Sequence, residues 1–223
     1  SDKITGESVK IPKEEFGLIF QIYGDTKLKR MKEAIPLFVH LHGAGGKSDD
    51  VDAGHVEIMT KRLVREEQYG DTPCIVVHPL CPAGDEGWKN HVVSLEAIID
   101  SLCDNLPIDR QRIYLSGYSM GGYGIYDLLK SRPDFYAAAV FADGPLRETE
   151  LDTFQTPLWY WYSGERDWKE SKKLAEAYEA QGKTIHFDAL PEFTHNQISY
   201  QLSHNEEVFP WVFSQVHENP VRP

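Results

Sequence analysis

Apolar and β-branched residues gather in seven short runs, at positions 17–23, 37–41, 74–78, 112–116, 138–142, 158–162 and 184–189. Several of them, such as PLFVHL and RIYLSG, are nearly continuous in apolar residues, as strands buried on both faces of a sheet must be. The stretches 56–67, 92–105, 120–130, 169–180 and 206–215 between and after them carry helical patterns instead. Strands alternating with helices predict an α/β fold: a mainly parallel central sheet with helices on both faces. In the second helix, Val92, Val93, Leu95, Ile98, Ile99 and Leu102 read as one stripe packed on the sheet. About fifteen residues separate the run ending at Ala142 from the one starting at Leu158, which leaves no room there for a large inserted lid. Without an internal repeat or a long polar linker, residues 1–223 are expected to form one domain.

Composition narrows the class of partner. With 41% hydrophobic residues the chain is ordinary globular material, while a net charge of -12 without a basic cluster repels phosphate backbones and anionic lipid. Nucleic acid is therefore not an expected partner, and no run approaches the ~20 apolar residues that span a bilayer. The three cysteines, Cys74, Cys81 and Cys103, lack zinc-site spacing, so no metal is expected; buried thiols are the plain reading, with a bridge from Cys74 or Cys81 to Cys103 as the alternative. The sequence starts at Ser1 without Met, compatible with a removed leader, and leaves compartment and oligomeric state open.

The strongest chemical signal is RIYLSGYSMGG, a buried strand running into Gly117, Tyr118, Ser119, Met120 and Gly121 and then at once into a helical pattern. This is GxSxG in the context its chemistry needs: a sharp strand-to-helix turn lifts the serine hydroxyl above the sheet, and small flanking residues avoid a clash. A serine is a poor nucleophile without a base, and the base needs a carboxylate to hold it. Both should follow Ser119 in the chain. Asp167, in YWYSGERDW beyond the sixth run, is the expected acid, with the N-cap of the helix behind it as its other reading; Asp143 and Glu165 are rivals. His195, in PEFTHN beyond the last run, is the expected base.

The segment LHGAGG follows the second run and has the glycines that let backbone N–H groups turn toward an oxyanion, so the N–H groups of Ala44 and Met120 are the expected donors. LHGAGGKS lacks the interval of a phosphate-binding P-loop, and no cofactor is expected. Gly43, Trp88, Tyr118 and Trp168 are candidate substrate-binding residues, the aromatic ones as stacking surface for an aryl or sugar-linked acyl group.

From 35 to 215 the chain resembles α/β-hydrolases of the compact esterase kind, near the feruloyl esterase-like, polyhydroxybutyrate depolymerase-like and "predicted peptidase" groups. The resemblance rests on PLFVHLHGAGG, VVHPLCPAGDEGW, RIYLSGYSMGGYGIYDLLKSRPDFYAAAV, WYWYSGERDW and FTHN, in that order. It implies Ser119 as nucleophile, Asp167 as acid, His195 as base and Trp88 in the substrate cleft. The chain departs from that group at three places: Ser163 and Gly164 stand where relatives commonly have His-Gly, Trp168 and Lys169 replace Val-Pro, and Asp143 falls in a stretch expected to be glycine-rich. The expected function is hydrolysis of a small soluble ester through an acyl-enzyme, with a serine peptidase or a non-catalytic binding protein of the same fold as alternatives.

Overall fold

The computed structural model describes residues 8–11, 13–24, 33–50, 52, 57–63, 73–144, 146–147 and 151–221. Eight strands form one sheet: β1 (Ser8–Ile11), β2 (Ile19–Tyr23), β3 (Ile35–Leu41), β4 (Ile75–Leu80), β5 (Ile108–Tyr118), β6 (Ala138–Ala142), β7 (Leu158–Ser163) and β8 (Ile185–Leu190). Their order is β1-β2-β4-β3-β5-β6-β7-β8. The pairs β1–β2 and β2–β4 are antiparallel, and every pair from β4 across to β8 is parallel. The α/β-hydrolase arrangement expected from the sequence is therefore present. Strand β1 is the addition: four residues, SVKI, are too few to show a period.

Helices cover both faces. Among the described residues they are α1 (Lys13–Phe16), α2 (Ile58–Leu63), α3 (Val92–Asn105), α4 (Met120–Ser131), α5 (Trp168–Ala180), α6 (His195–His204) and α7 (Val208–Ser214). Because side chains alternate along a strand, Leu37, Val39 and Leu41 of β3 face one layer and Phe38 faces the other. The first layer joins the sheet to α3, α4 and α5 through Leu95, Ile98, Ile125, Tyr126, Ala175 and Tyr178. The second joins it to α2, α6 and α7 through Met59, Leu63, Ile198, Leu202, Phe209 and Val212. Truncating a fully buried member such as Leu95 to alanine should cost about 2–5 kcal/mol, the usual cost of a lost core leucine.

Two details differ from the pattern the sequence predicts, and a third, the state of the cysteines, follows its plain reading. Val93 is 80% exposed, because one residue's 100° step from Val92 carries it off the stripe that Leu95, Ile98, Ile99 and Leu102 share. All three cysteines are free and buried, so the bridging alternative fails. Helix α6 begins at His195, in a stretch where the apolar pattern predicts no helix; its signal is the capping box Thr194–Gln197, in which the Thr194 side chain accepts from the Gln197 N–H and the Gln197 side chain from the Thr194 N–H. Of the expected helix at 56–67, residues 57–63 are described and helical from Ile58 to Leu63; the rest lies outside the described residues.

Candidate active site

The turn between β5 and α4 carries Ser119 at φ 53° and ψ -114°, a conformation that costs a non-glycine residue energy and recurs at nucleophile turns. Its N–H donates to the Ala142 carbonyl at 2.8 Å, tying the turn to the end of β6. The fit is tight underneath: a Cβ on Gly121 would lie 1.8 Å from the carbonyl oxygen of Leu41, so no other residue is accommodated there without moving β3.

His195 opens α6 with its imidazole over the serine, Nε2 2.9 Å from Ser119 Oγ. Its backbone is clamped on both sides. The N–H donates to Glu165 at 2.7 Å, and the carbonyl accepts from the Tyr118 hydroxyl at 2.8 Å. The Tyr118 ring also stacks on the imidazole, centroids 5.0 Å apart. Burial pushes the Tyr118 hydroxyl up to about 12, so it keeps the proton it donates.

The carboxylate against this histidine belongs to Asp143, not to Asp167. Asp143 Oδ2 is 2.7 Å from His195 Nδ1, and the same oxygen accepts from the Ser163 hydroxyl at 2.6 Å while Oδ1 accepts from the Ser163 N–H at 2.7 Å. With Asp143 accepting at Nδ1, the imidazole carries its proton there and presents Nε2 to the serine as an acceptor. Asp143 is buried and fully hydrogen-bonded, as an interior carboxylate must be. Asp167 is exposed at the N-cap of α5, where its side chain accepts from the Glu170 N–H at 3.4 Å. Glu165 engages only the backbone of His195. Arg166, between them, places a guanidinium nitrogen 3.3 Å from His195 Nε2.

The loop after β3 turns through a short 3-10 segment, Ala44–Gly46. Its anchor is His42, fully buried, with Nδ1 2.6 Å from the Gly43 carbonyl and Nε2 accepting from the Cys81 N–H at 3.0 Å. Trp88 supports the loop from inside, donating from Nε1 to the His42 carbonyl at 3.2 Å and meeting its ring edge-on. Only 2% exposed, Trp88 belongs to the core and not to the cleft where the sequence placed it. Trp168 likewise packs against the core with Lys169 over its ring, and Gly43 is tucked against the Tyr118 ring. A cleft of about 530 Å³ lies above the serine, lined by Ala44, Gly45, Glu57, Ile58, Lys61, Tyr118, Ser119, His195, Asn196 and Ser199. Of the four residues expected to bind substrate, Tyr118 alone lines it.

A serine, an imidazole and a carboxylate in one hydrogen-bonded chain, at the C-terminal edge of a mainly parallel eight-stranded sheet, are the arrangement that serine hydrolases of the α/β-hydrolase fold use. The chain belongs to the prolyl oligopeptidase family, peptidase family S9, whose model matches residues 83–204. Among solved structures, a thermostable esterase is similar with a TM-score of 0.78 at 22% identity, over 94% of this chain and 63% of that one. Est1E from Butyrivibrio proteoclasticus is similar with a TM-score of 0.63 at 14% identity, over 92% of this chain and 97% of that one. The acylaminoacyl peptidase of Pyrococcus horikoshii is similar with a TM-score of 0.66 at 13% identity, over 100% of this chain but 43% of its own length. At these identities the likeness is one of fold. No curated protein sequence matches the chain significantly. Among the described residues no helix is long and apolar enough to cross a membrane, and no three or more metal-ligating side chains cluster as a metal would need.

Proposed function

We propose that the chain hydrolyses small carboxylic esters through an acyl-enzyme on Ser119, with His195 as general base and Asp143 as the carboxylate that orients it. The observation that carries this reading is the continuous chain Ser119 Oγ, His195 Nε2, His195 Nδ1, Asp143 Oδ2, with contacts of 2.9 and 2.7 Å. Ser119 attacks the carbonyl carbon as its proton passes to Nε2, and the tetrahedral oxyanion is received by the N–H groups of Ala44 and Met120, each at the start of a helical turn. The imidazolium then protonates the departing alkoxide, and water repeats the sequence to release the acid.

Ester is favoured over peptide because a ferulic acid esterase is matched over 96% of its own length, whereas the acylaminoacyl peptidase is matched over less than half. The peptidase reading keeps one specific support, the family match itself. Turnover of 4-nitrophenyl acetate and butyrate beside aminoacyl 4-nitroanilides, by wild type and Ser119→Ala, separates the two. The expected result is ester turnover that falls at least about 10³-fold in the variant, with little anilide cleavage. Faster anilide than ester cleavage would move the assignment to peptidase, and ester turnover that survives in Ser119→Ala would remove the nucleophile.

A further inference from the structure

The ester-cleaving chain is not the only Ser–His–carboxylate sequence in the molecule. His40 lies in the interior of β3, 1% exposed, opposite Ser116 of β5 in the strand register. Its Nδ1 is 2.7 Å from Ser116 Oγ and its Nε2 is 2.7 Å from Glu57 Oε1. Since a carboxylate only accepts, Nε2 donates to Glu57 and Nδ1 accepts from the serine hydroxyl. No substrate can reach this serine, which is fully buried between strands. The second Glu57 oxygen shows what the arrangement does: Oε2 accepts the N–H of Gly43 at 3.2 Å, at the entrance of the 3-10 turn that carries Ala44.

We propose that Glu57 is a positioning residue that sets the oxyanion-binding peptide, acting through Gly43 and itself held by His40 and Ser116. The geometry is over-determined in the way such a role requires. The Gly43 N–H is fixed by Glu57, while the Gly43 carbonyl is fixed by His42 Nδ1 at 2.6 Å and by the Gly46 N–H at 3.0 Å. That carbonyl shares one planar trans peptide with the Ala44 N–H, so fixing the oxygen aims the N–H the opposite way. Glu57 and His42 are thus the side-chain tethers that hold the loop on either side of the Gly43 α-carbon. Burial pushes the Glu57 carboxyl up, but the hydrogen bonds it accepts from His40 and the Gly43 N–H outweigh it and hold the group below its ordinary value, as a committed acceptor.

This inference rests on the acyl-enzyme reading, and its test is built so that the two fail differently. Glu57→Ala and the near-isosteric Glu57→Gln are compared with wild type in three measurements: kcat and KM for 4-nitrophenyl butyrate, Ki for an alkyl trifluoromethyl ketone, and the rate at which a fluorophosphonate labels Ser119. The ketone and the phosphonate both develop an oxyanion on the enzyme. Removing one oxyanion donor outright usually costs about 10²–10³-fold, so freeing the loop should cost about 10–100-fold. Glu57→Ala is expected to lose that factor in kcat with KM within about threefold, to raise the ketone Ki by a similar factor and to slow labelling in parallel. Glu57→Gln, which can still accept from Gly43, is expected to recover most of each. Unchanged kcat and Ki in a folded Glu57→Ala would overturn the positioning role, and a raised KM at constant kcat would make Glu57 a substrate-binding group instead. If wild type is not labelled at all, the nucleophile reading fails first; equal labelling of wild type and Glu57→Ala sinks only the present inference.

Discussion

Ser119 and Asp143 stand side by side at the ends of adjacent parallel strands. The β5–β6 register pairs Tyr118 with Ala142, and the next residue of each strand leaves the sheet with a positive φ, 53° at Ser119 and 54° at Asp143. Among the described non-glycine residues these two alone have that conformation. Each N–H is held by the neighbouring strand, Ser119 by the Ala142 carbonyl at 2.8 Å and Asp143 by the Trp161 carbonyl at 2.9 Å. Sparsely populated backbone of this kind costs on the order of 1–3 kcal/mol per residue and persists where the surroundings enforce it. Here the enforcement brings the proposed nucleophile and its carboxylate to neighbouring strand ends, with His195 bridging them.

Removing the charge of Asp143 should therefore do what removing that of Asp167 does not. Asp143→Asn leaves the shape but offers an amide where His195 Nδ1–H needs an acceptor, and the wrong tautomer of the base follows. In a comparable triad that change lowers kcat by about 10⁴, so a loss of about 10³–10⁴ is expected here. Asp167→Asn keeps a good N-cap and should leave ester kcat/KM within about threefold. Steady-state kinetics of the two variants decide the matter, and a large loss in Asp167→Asn with Asp143→Asn near wild type would reverse the assignment.

This pair also shows where the sequence stops being informative. Ser119 was legible because its signal is local: strand, GxSxG and helix are contiguous. His195 was legible by order along the chain. The carboxylate beside the imidazole was not, because Asp143 and Asp167 both follow strands, and which one meets the ring depends on how far each loop runs before it turns. Asp143 leaves the strand adjacent to β5, whereas Asp167 comes four residues after the end of β7 and is spent on starting α5. Two departures visible in the sequence, Asp143 in an expected glycine-rich stretch and Ser163 in place of histidine, turn out to be the two halves of one contact. Trp88 and Trp168 misled for a different reason: an aromatic near a motif has the same composition whether it faces the cleft or the core, and at both positions packing took it inward.

Arg166 gives a prediction about the resting base. Its guanidinium is 3.3 Å from His195 Nε2, the atom that takes the serine proton in the proposed mechanism. A cation there competes with the serine hydroxyl for the lone pair and opposes the imidazolium formed on attack. Arg166 is exposed, so solvent screens the effect; two unit charges 4 Å apart in water interact by about 1 kcal/mol, a factor of about five. Arg166→Gln should raise kcat/KM for neutral esters by up to about fivefold at low salt, with the advantage shrinking as salt is added. A salt-independent loss of activity would instead mean that Arg166 contacts substrate.

The thiols supply a simple check on packing. Burial pushes Cys74 up to about 12 and Cys81 and Cys103 up to about 11, so little of any of them is thiolate near neutral pH. In the native protein none should react with Ellman's reagent within minutes, and all three should react on denaturation without added reductant. Fewer than three after denaturation would indicate a bridge.

Glu57 predicts how stability changes in acid. Its carboxyl is held below the ordinary 4.5, with burial opposing and the hydrogen bonds from His40 and Gly43 prevailing. A carboxyl depressed on folding binds fewer protons in the folded chain than in the unfolded one. Its contribution is thus complete above the unfolded value and is lost as pH falls through the folded value. Glu57→Gln has no such proton to lose. The difference in Tm between wild type and Glu57→Gln should therefore be constant from neutrality down to about pH 5 and shrink below 4.5, as the wild type gives up the contribution that the variant never had. Taking the difference cancels the other carboxylates, which titrate alike in both proteins. A gap that stayed the same across that range would mean that the Glu57 carboxylate gains nothing from His40 and Gly43, and the tether on the oxyanion loop would then rest on shape alone.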